Sequence, residues 1–363
     1  MELFPNESRR YSQEQLSARE AQRQAEFIAW SPIVFQVSRL MLKYGILDLL
    51  RDSISGMTVD ELKEKTDLST YAIKILLEAS LSAGTVLIDP STDRYTISKT
   101  GYFLLTDRST RANMAFNHDV NYMGMFYLDE ALEQGKPAGL KTLGDWPTIY
   151  EGLSQLPKQV QESWFGFDHF YSDSSFEEAL RIVLSKNPRR LMDVGGNTGR
   201  FALSCVAHSK DVRVTIVDLP GQIGMMKSNT AGKEGGERIE GFATNLLDPS
   251  NSLPEGKWDA IWMSQFLDCF SEEEMYTILC RAADVMTGDT TLYIMETFWN
   301  RQRFETSSLC LTMTSVYFTA LANGNSKMYH SDDMIRQINR AGLRVTSIHD
   351  GLGLGHTILE IKK

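Results

Sequence analysis

The sequence predicts an α/β protein, in which a mainly helical region containing a winged helix precedes a mostly parallel sheet covered by helices on both faces. Three observations predict it. A crowded apolar run spans Phe27 to Leu50, a helix–turn–helix–hairpin pattern follows it, and after Pro188 short apolar strands alternate with helical stretches.

The elements follow in chain order. Gln13 to Gln24 reads as a polar helix. From Phe27 to Leu50, Ile28, Trp30, Ile33, Val34, Val37, Leu40, Met41, Ile46, Leu47, Leu49 and Leu50 crowd together and leave the stretch apolar on most sides. A helix apolar on most sides is buried in a core or against another subunit, so a homodimer is expected. Thr58 and Glu61 form a capping-box start. Asp67-Leu68-Ser69-Thr70 opens a second helix through Ile73, Leu76, Leu77 and Leu81, and Gly84 stops it. Val86-Leu87-Ile88 and Tyr95-Thr96-Ile97 flank the turn Asp89-Pro90-Ser91, which completes a winged helix. Residues 111–175 are helical and rich in aromatic residues, Tyr150 and Trp164 among them, and are read as a linker contributing to the substrate pocket. The domain boundaries are thus 1–110, 111–175 and 176–363.

In the last of these, Leu191 to Val194, Val212 to Val217, Trp258 to Met263 and Leu292 to Met295 are strands. The first ends in Asp193-Val194-Gly195-Gly196-Asn197-Thr198-Gly199, directly before a helix from Arg200 to Ala207. Glycines there let the backbone approach a nucleotide-like ligand closely. Asp218 closes the next strand, where an acidic side chain can hold both ribose hydroxyls. Either signal alone is weak; the pair in this order specifies a Rossmann-like cofactor site.

Composition narrows the function. The 363 residues are 42% hydrophobic and 23% charged, with a formal net charge of −10, which argues against broad nucleic-acid binding. Cys205, Cys269, Cys280 and Cys310 include no C-x-x-C pair, and no histidine cluster has metal-ligand spacing, so no metal is expected. No signal-like leader opens the chain and no window suits a membrane span, so a cytoplasmic protein is expected.

Met192-Asp193-Val194-Gly195-Gly196, then Val217-Asp218-Leu219-Pro220, then Trp258-Asp259-Ala260-Ile261, resembles the small-molecule O-methyltransferase family of the plant caffeic acid and acetylserotonin enzymes. The resemblance runs from about Trp30 to Ile361. It implies a class I methyltransferase fold, S-adenosyl-L-methionine as cofactor, a small-molecule acceptor and an interlocked dimer made by the winged-helix domain. Carried over residue by residue, it implies a cofactor site of Asp193, Gly195, Gly196, Asn197, Gly199, Asp218, Leu219, Asn245, Leu246 and Ser264.

The departures are as informative. Asn197 stands where the family has a third glycine, and asparagine tolerates positive φ. Asn245 takes the place of an adenine-facing aspartate and can still accept from an adenine amine. Ser264 falls where the plant enzymes have a lysine. The family's base histidine falls on Asp268, its first orienting glutamate on Glu296, and its second around Lys327-Met328-Tyr329-His330. A carboxylate at its ordinary pKa near ~4 is a weak base towards a phenol near ~10. Burial and a neighbouring carboxylate raise such a pKa, so Asp268 beside Glu296 can act near neutrality. Asp268 as a helix N-cap, or a site that has lost its base, are the bland alternatives.

His330 is a second candidate base; His118 and His169 are weaker ones among six histidines. Met313 to Tyr317, Phe318 and Trp299 suit a clamp for a flat ring, and equally an ordinary core. The expected function is methylation of a hydroxyl on a flat aromatic or polyene-like acceptor. Two other readings stay open. One is same-fold decarboxylation or hydroxylation, raised by the absent histidine. The other is a winged-helix regulator sensing S-adenosylmethionine, weakened because Lys74 is the only basic residue of the second helix.

Overall fold

The computed structural model describes residues 11–363, apart from the side chains of 169–173, and divides into two compact units, Gln13–Val120 and Asn121–Lys363.

In the first unit the two expected helical pieces are one helix, Ala18–Lys43, with Pro32 inside it. It starts at a Ser17–Glu20 capping box, in which the Ser17 amide donates to the Glu20 carboxylate at 2.8 Å. The break comes instead at Gly45, whose φ of +67° ends the run before Ile46–Asp52. The Thr58–Glu61 capping box opens Val59–Lys65, and Thr70–Ala83 ends at left-handed Gly84. Strands β1 (Val86–Asp89) and β2 (Arg94–Ile97) pair antiparallel as the wing. Helices Lys99–Thr106 and Arg108–Phe116 follow. Met41, Ile46, Leu47, Leu50, Leu62, Ile73 and Leu77 form this unit's core. The helix Ala18–Lys43 is apolar yet uncovered over its middle, with Ile28, Trp30 and Ile33 more than half exposed.

The second unit is built on a seven-stranded sheet in the order β5-β4-β3-β6-β7-β9-β8. Its strands are β3 (Arg190–Val194), β4 (Arg213–Asp218), β5 (Ile239–Ala243), β6 (Ala260–Ser264), β7 (Thr291–Glu296), β8 (Arg344–Leu352) and β9 (His356–Lys362). The first five run parallel, while β9 is antiparallel to both its neighbours. Alternate residues feed opposite faces. Leu191, Ile216, Trp262 and Tyr293 pack with Phe201 and Cys205 on one side; Met192, Val217, Ile261 and Ile294 pack with Met275, Ile278 and Ile338 on the other. Phe201 stacks on Trp262 at 4.4 Å. Each such buried side chain contributes roughly 1.5–3 kcal/mol, which covers the sheet on both faces and keeps its strands almost wholly apolar.

The chain winds from β3 outward to β5, then returns to place β6 on the other side of β3. In an open parallel sheet this reversal leaves a crevice at the carboxyl ends of the strands, where ligands bind. Asp193, Asp218, Ser264 and Glu296 all lie at those ends.

Candidate active site

Asp193 lies on β3 and is 2% exposed, with Oδ2 lacking any hydrogen-bond partner. Burial, and secondarily the charge of Asp218, push its carboxyl up to about 8. The chain then turns sharply: Gly195 (φ +77°), Asn197 (φ +48°) and Gly199 (φ +79°) are all left-handed. Asn197 thus adopts the backbone that a glycine would take. Gly195 has no room for a side chain, since a Cβ would stand 2.3 Å from the Phe266 ring. Its amide donates to the Val217 carbonyl at 2.8 Å, and the Asn197 amide to Asp218 Oδ2 at 2.9 Å. Asp218 also accepts from the Leu219 amide at 2.7 Å, so its carboxylate joins the glycine loop to the end of β4. These two bonds offset part of the burial that raises its pKa.

Leu219 is 43% exposed at the start of the helix Pro220–Thr230. Asn245 and buried Leu246 lie beyond β5. The Asn245 side-chain carbonyl already accepts the Leu247 amide at 2.9 Å, so one of its two acceptor positions is used in shaping the turn. Arg281 holds that turn from below through the carbonyls of Leu246 and Asp248. Ser264 is half-buried at the end of β6, level with Met295.

A second acidic centre lies across the switch point. Glu296, 2% exposed, accepts the amides of Phe266 (3.1 Å) and Leu267 (2.9 Å) on Oε1, while Oε2 has no partner. Those amides belong to the turn after β6, where Gln265 takes φ +45°, and the turn carries Asp268, 5% exposed. Ser271, not Asp268, caps the helix Glu272–Val285. Burial pushes the Asp268 carboxyl up to about 7, with the Asp168 charge adding to it and a Cys269 hydrogen bond opposing. Burial and the Asp268 charge push Glu296 well above the ordinary range. Two neighbouring buried carboxyls hold their protons to neutral pH for the reasons expected of such a pair.

Around them stands an aromatic and thiol shell. The Tyr150 hydroxyl donates to Cys269 Sγ at 3.3 Å, and that thiol lies 3.6 Å from Asp268 Oδ1. Trp164 Nε1 donates to the Tyr317 hydroxyl at 2.8 Å, and the Asn323 amide to the Cys269 carbonyl at 2.6 Å. Asp168, whose charge reaches both Asp268 and Tyr317, escaped sequence reasoning. Its only signal was one acid among Trp164, Phe165 and Phe167 on an aromatic helix.

His330 is held elsewhere: Nδ1 accepts the Asp332 amide at 3.1 Å as cap of the helix Ser331–Arg340, and the ring packs edge-on against Trp299 at 5.2 Å. Its neighbour Tyr329 reaches the Phe270 carbonyl at 2.7 Å instead. Met313 is 57% exposed, whereas Tyr317 and Phe318 are buried. His118 belongs to the first unit and the His169 side chain lies outside the described residues. Among the described residues no His, Cys, Asp and Glu group is arranged to hold a metal ion.

Comparison with known proteins agrees with this geometry. Residues 22–95 match the Dimerisation2-like domain, and residues 172–343 match the O-methyltransferase domain. A bacteriochlorophyllide d C-20 methyltransferase of Chlorobaculum tepidum is 27% identical over 188 residues, covering 50% of this chain and 49% of that protein. The O-methyltransferase SfmM3 of Streptomyces lavendulae is 26% identical over 188 residues, covering 50% of this chain and 54% of its own length. The chain thus spans about half the length of the curated relatives it matches. The solved structure of the S-adenosylmethionine-dependent methyltransferase SibL shares the fold, with a TM-score of 0.68 at 21% identity over 93% of this chain and 98% of that one. The segment 172–343, which holds the glycine loop tied to Asp218 and the buried carboxyl pair, is thus similar to O-methyltransferase domains, and it follows a segment similar to their dimerisation domains.

Proposed function

We propose that the protein transfers a methyl group from S-adenosylmethionine to the hydroxyl of a small, flat, aromatic acceptor, working as a homodimer. The observation that carries this reading is the pairing of two buried acidic centres across one switch point: Asp193 and Asp218 beside the glycine loop, Asp268 and Glu296 beside the aromatic shell. The cofactor fits the first centre. Asp193 Oδ2 is an orphaned buried acceptor, and the loop has no side chain at Gly195 or Gly196 to obstruct a ligand. Asp218 would hold ribose hydroxyls, Asn245 and Leu246 the adenine, and Asp193 with the loop amides the amino-acid end. Bound there, the cofactor supplies an electrophilic methyl group.

The protein's own contribution is to place and deprotonate the acceptor. Tyr150, Trp164 and Tyr317 offer ring faces and edges, and Asp268 takes the hydroxyl proton. Glu296 fixes the turn under Asp268, and burial, with the Asp168 charge, keeps the Asp268 carboxyl proton-seeking near neutrality. Orientation supplies the rest, since holding acceptor and methyl carbon in line replaces a bimolecular encounter. In this reading 176–363 is the catalytic domain, 111–175 contributes Tyr150, Trp164 and Asp168 to the acceptor side, and 1–110 is the dimerisation domain. The uncovered Ile28, Trp30 and Ile33 support the dimer. No described helix is long and apolar enough to cross a membrane.

The test is calorimetric titration with S-adenosylhomocysteine, comparing wild type with Asp218→Ala. Micromolar binding that is lost in the variant supports the cofactor site. Absence of binding to wild type removes the methyltransferase reading. With an active acceptor in hand, Asp268→Asn should lower kcat by about 10²–10⁴-fold, the usual contribution of a positioned base.

A further inference from the structure

The acceptor-side carboxyls are built for a charge that a neutral phenol does not carry. Glu296 Oε1 is fully occupied by two backbone amides, while Oε2 is buried, 2% exposed as a residue, and has nothing to accept from. Asp268 lies in the same buried centre, and the Asp168 charge acts on it as well. Among the described residues neither Asp268 nor Glu296 makes an ion pair, although surface carboxylates of this chain pair freely with Arg and Lys. A buried carboxyl oxygen without a donor costs about 1–3 kcal/mol, and a neutral phenol has one proton to offer to two carboxyls. A protonated nitrogen offers charge and several N–H donors at once.

We propose that Asp268 and Glu296 receive a cationic nitrogen on the acceptor, so that the substrate is a hydroxylated ring bearing a basic amine or ring nitrogen. This rests on the methyltransferase reading above and names its substrate class. Such a cation also favours the ionised hydroxyl on the same molecule, as any nearby positive charge does. The hydroxyl proton passes to Asp268, the oxygen lone pair forms the new bond to the methyl carbon, and the carbon–sulfur bond breaks with its electrons going to sulfur. The nitrogen keeps its proton throughout and leaves with the ether product.

The experiment uses the full-length protein saturated with S-adenosylhomocysteine. The probes are tyramine and its uncharged isostere para-propylphenol, titrated calorimetrically at pH 7.5. Tyramine should bind at least about tenfold more tightly, the difference that one charge-assisted hydrogen bond confers. In Glu296→Gln, which keeps an oxygen to accept the two amides, that preference should fall below about twofold with S-adenosylhomocysteine affinity unchanged. Asp268→Asn should act the same way and guards against a folding defect in the first variant. Equal or tighter binding of para-propylphenol, or no measurable amine binding, overturns the proposal. So does a Glu296→Gln variant that loses cofactor affinity instead, since the cation would then be the cofactor's own ammonium. Failure of wild type to bind S-adenosylhomocysteine would sink the methyltransferase reading itself and is read separately.

Discussion

The Asp193 carboxylate fills the space beside Gly196: a Cβ on that glycine would stand 2.7 Å from Asp193 Oδ2. The loop and the buried acid are therefore one unit, and each constrains substitution of the other. Gly195→Ala is the more damaging change, because it adds a left-handed backbone to a 2.3 Å approach to Phe266. Gly195→Ala should weaken S-adenosylhomocysteine binding by at least about tenfold, with several degrees lost in Tm, because non-glycine strain of this kind costs about 1–2 kcal/mol before any clash. Calorimetry and thermal melts read the two effects.

Asp193 should also show a conflict between stability and function. Its folded pKa of about 8 lies above the unfolded value near ~3.9. The folded protein therefore binds more protons than the unfolded chain between those values, and stability falls as pH rises from about 4 to 8. Asp193→Asn removes this dependence. The variant should melt several degrees higher than wild type at pH 8 and by much less at pH 4, while losing cofactor affinity.

Cofactor binding should release a proton at neutral pH. A cationic ligand beside Asp193 lowers the carboxyl's pKa from about 8, so a group largely protonated at pH 7 ionises as the complex forms. Binding enthalpies measured in buffers of different ionisation heat should show close to one proton released at pH 7 and far fewer at pH 9. An invariant enthalpy across buffers would contradict this assignment.

His356 sets the acid limit of the second unit. The ring is fully buried, both nitrogens lack partners, and burial pushes its pKa down to about 4. The unfolded histidine takes a proton near ~6.5, so stability falls as pH drops from about 6.5 to 4, by up to about 3 kcal/mol. His356→Leu should flatten the fall of Tm between pH 6.5 and 4.5. An unchanged slope would show that other groups govern acid unfolding.

Arg281 is expected to act on the cofactor at a distance. It ties down the Leu246 and Asp248 carbonyls that frame Asn245. Arg281→Met should raise KM for S-adenosylmethionine several-fold and leave kcat at saturation nearly unchanged, which steady-state kinetics separates.

The glycine loop and the acid that closes the next strand were legible in the sequence because the backbone itself dictates them. A sharp turn after a buried strand needs Gly195 and Gly199, and an acid closing the next strand is local to that pattern. The acceptor half was legible only in part. Asp268 and Glu296 come from motif-bearing strand ends, but Asp168 and Tyr150 reach them from distant helical segments through tertiary packing. No period or spacing announces that. His330 illustrates another case: a residue with the right chemistry whose ring nitrogen is engaged in capping its helix. The break at Gly45 was missed for a simpler reason: the apolar run continues through it into Ile46, Leu47 and Leu50.

The turn bearing Asp268 is fastened to Glu296 through the amides of Phe266 and Leu267, by main-chain atoms alone. The bonds that Glu296 makes to this turn therefore do not involve the side chain at position 268. A lineage can exchange imidazole for carboxyl there, and with it the acidity of the molecules it modifies, without rebuilding the surrounding protein. Such a scaffold lets substrate preference drift by single substitutions, although the turn also packs through Phe266 against Gly195 of the neighbouring loop.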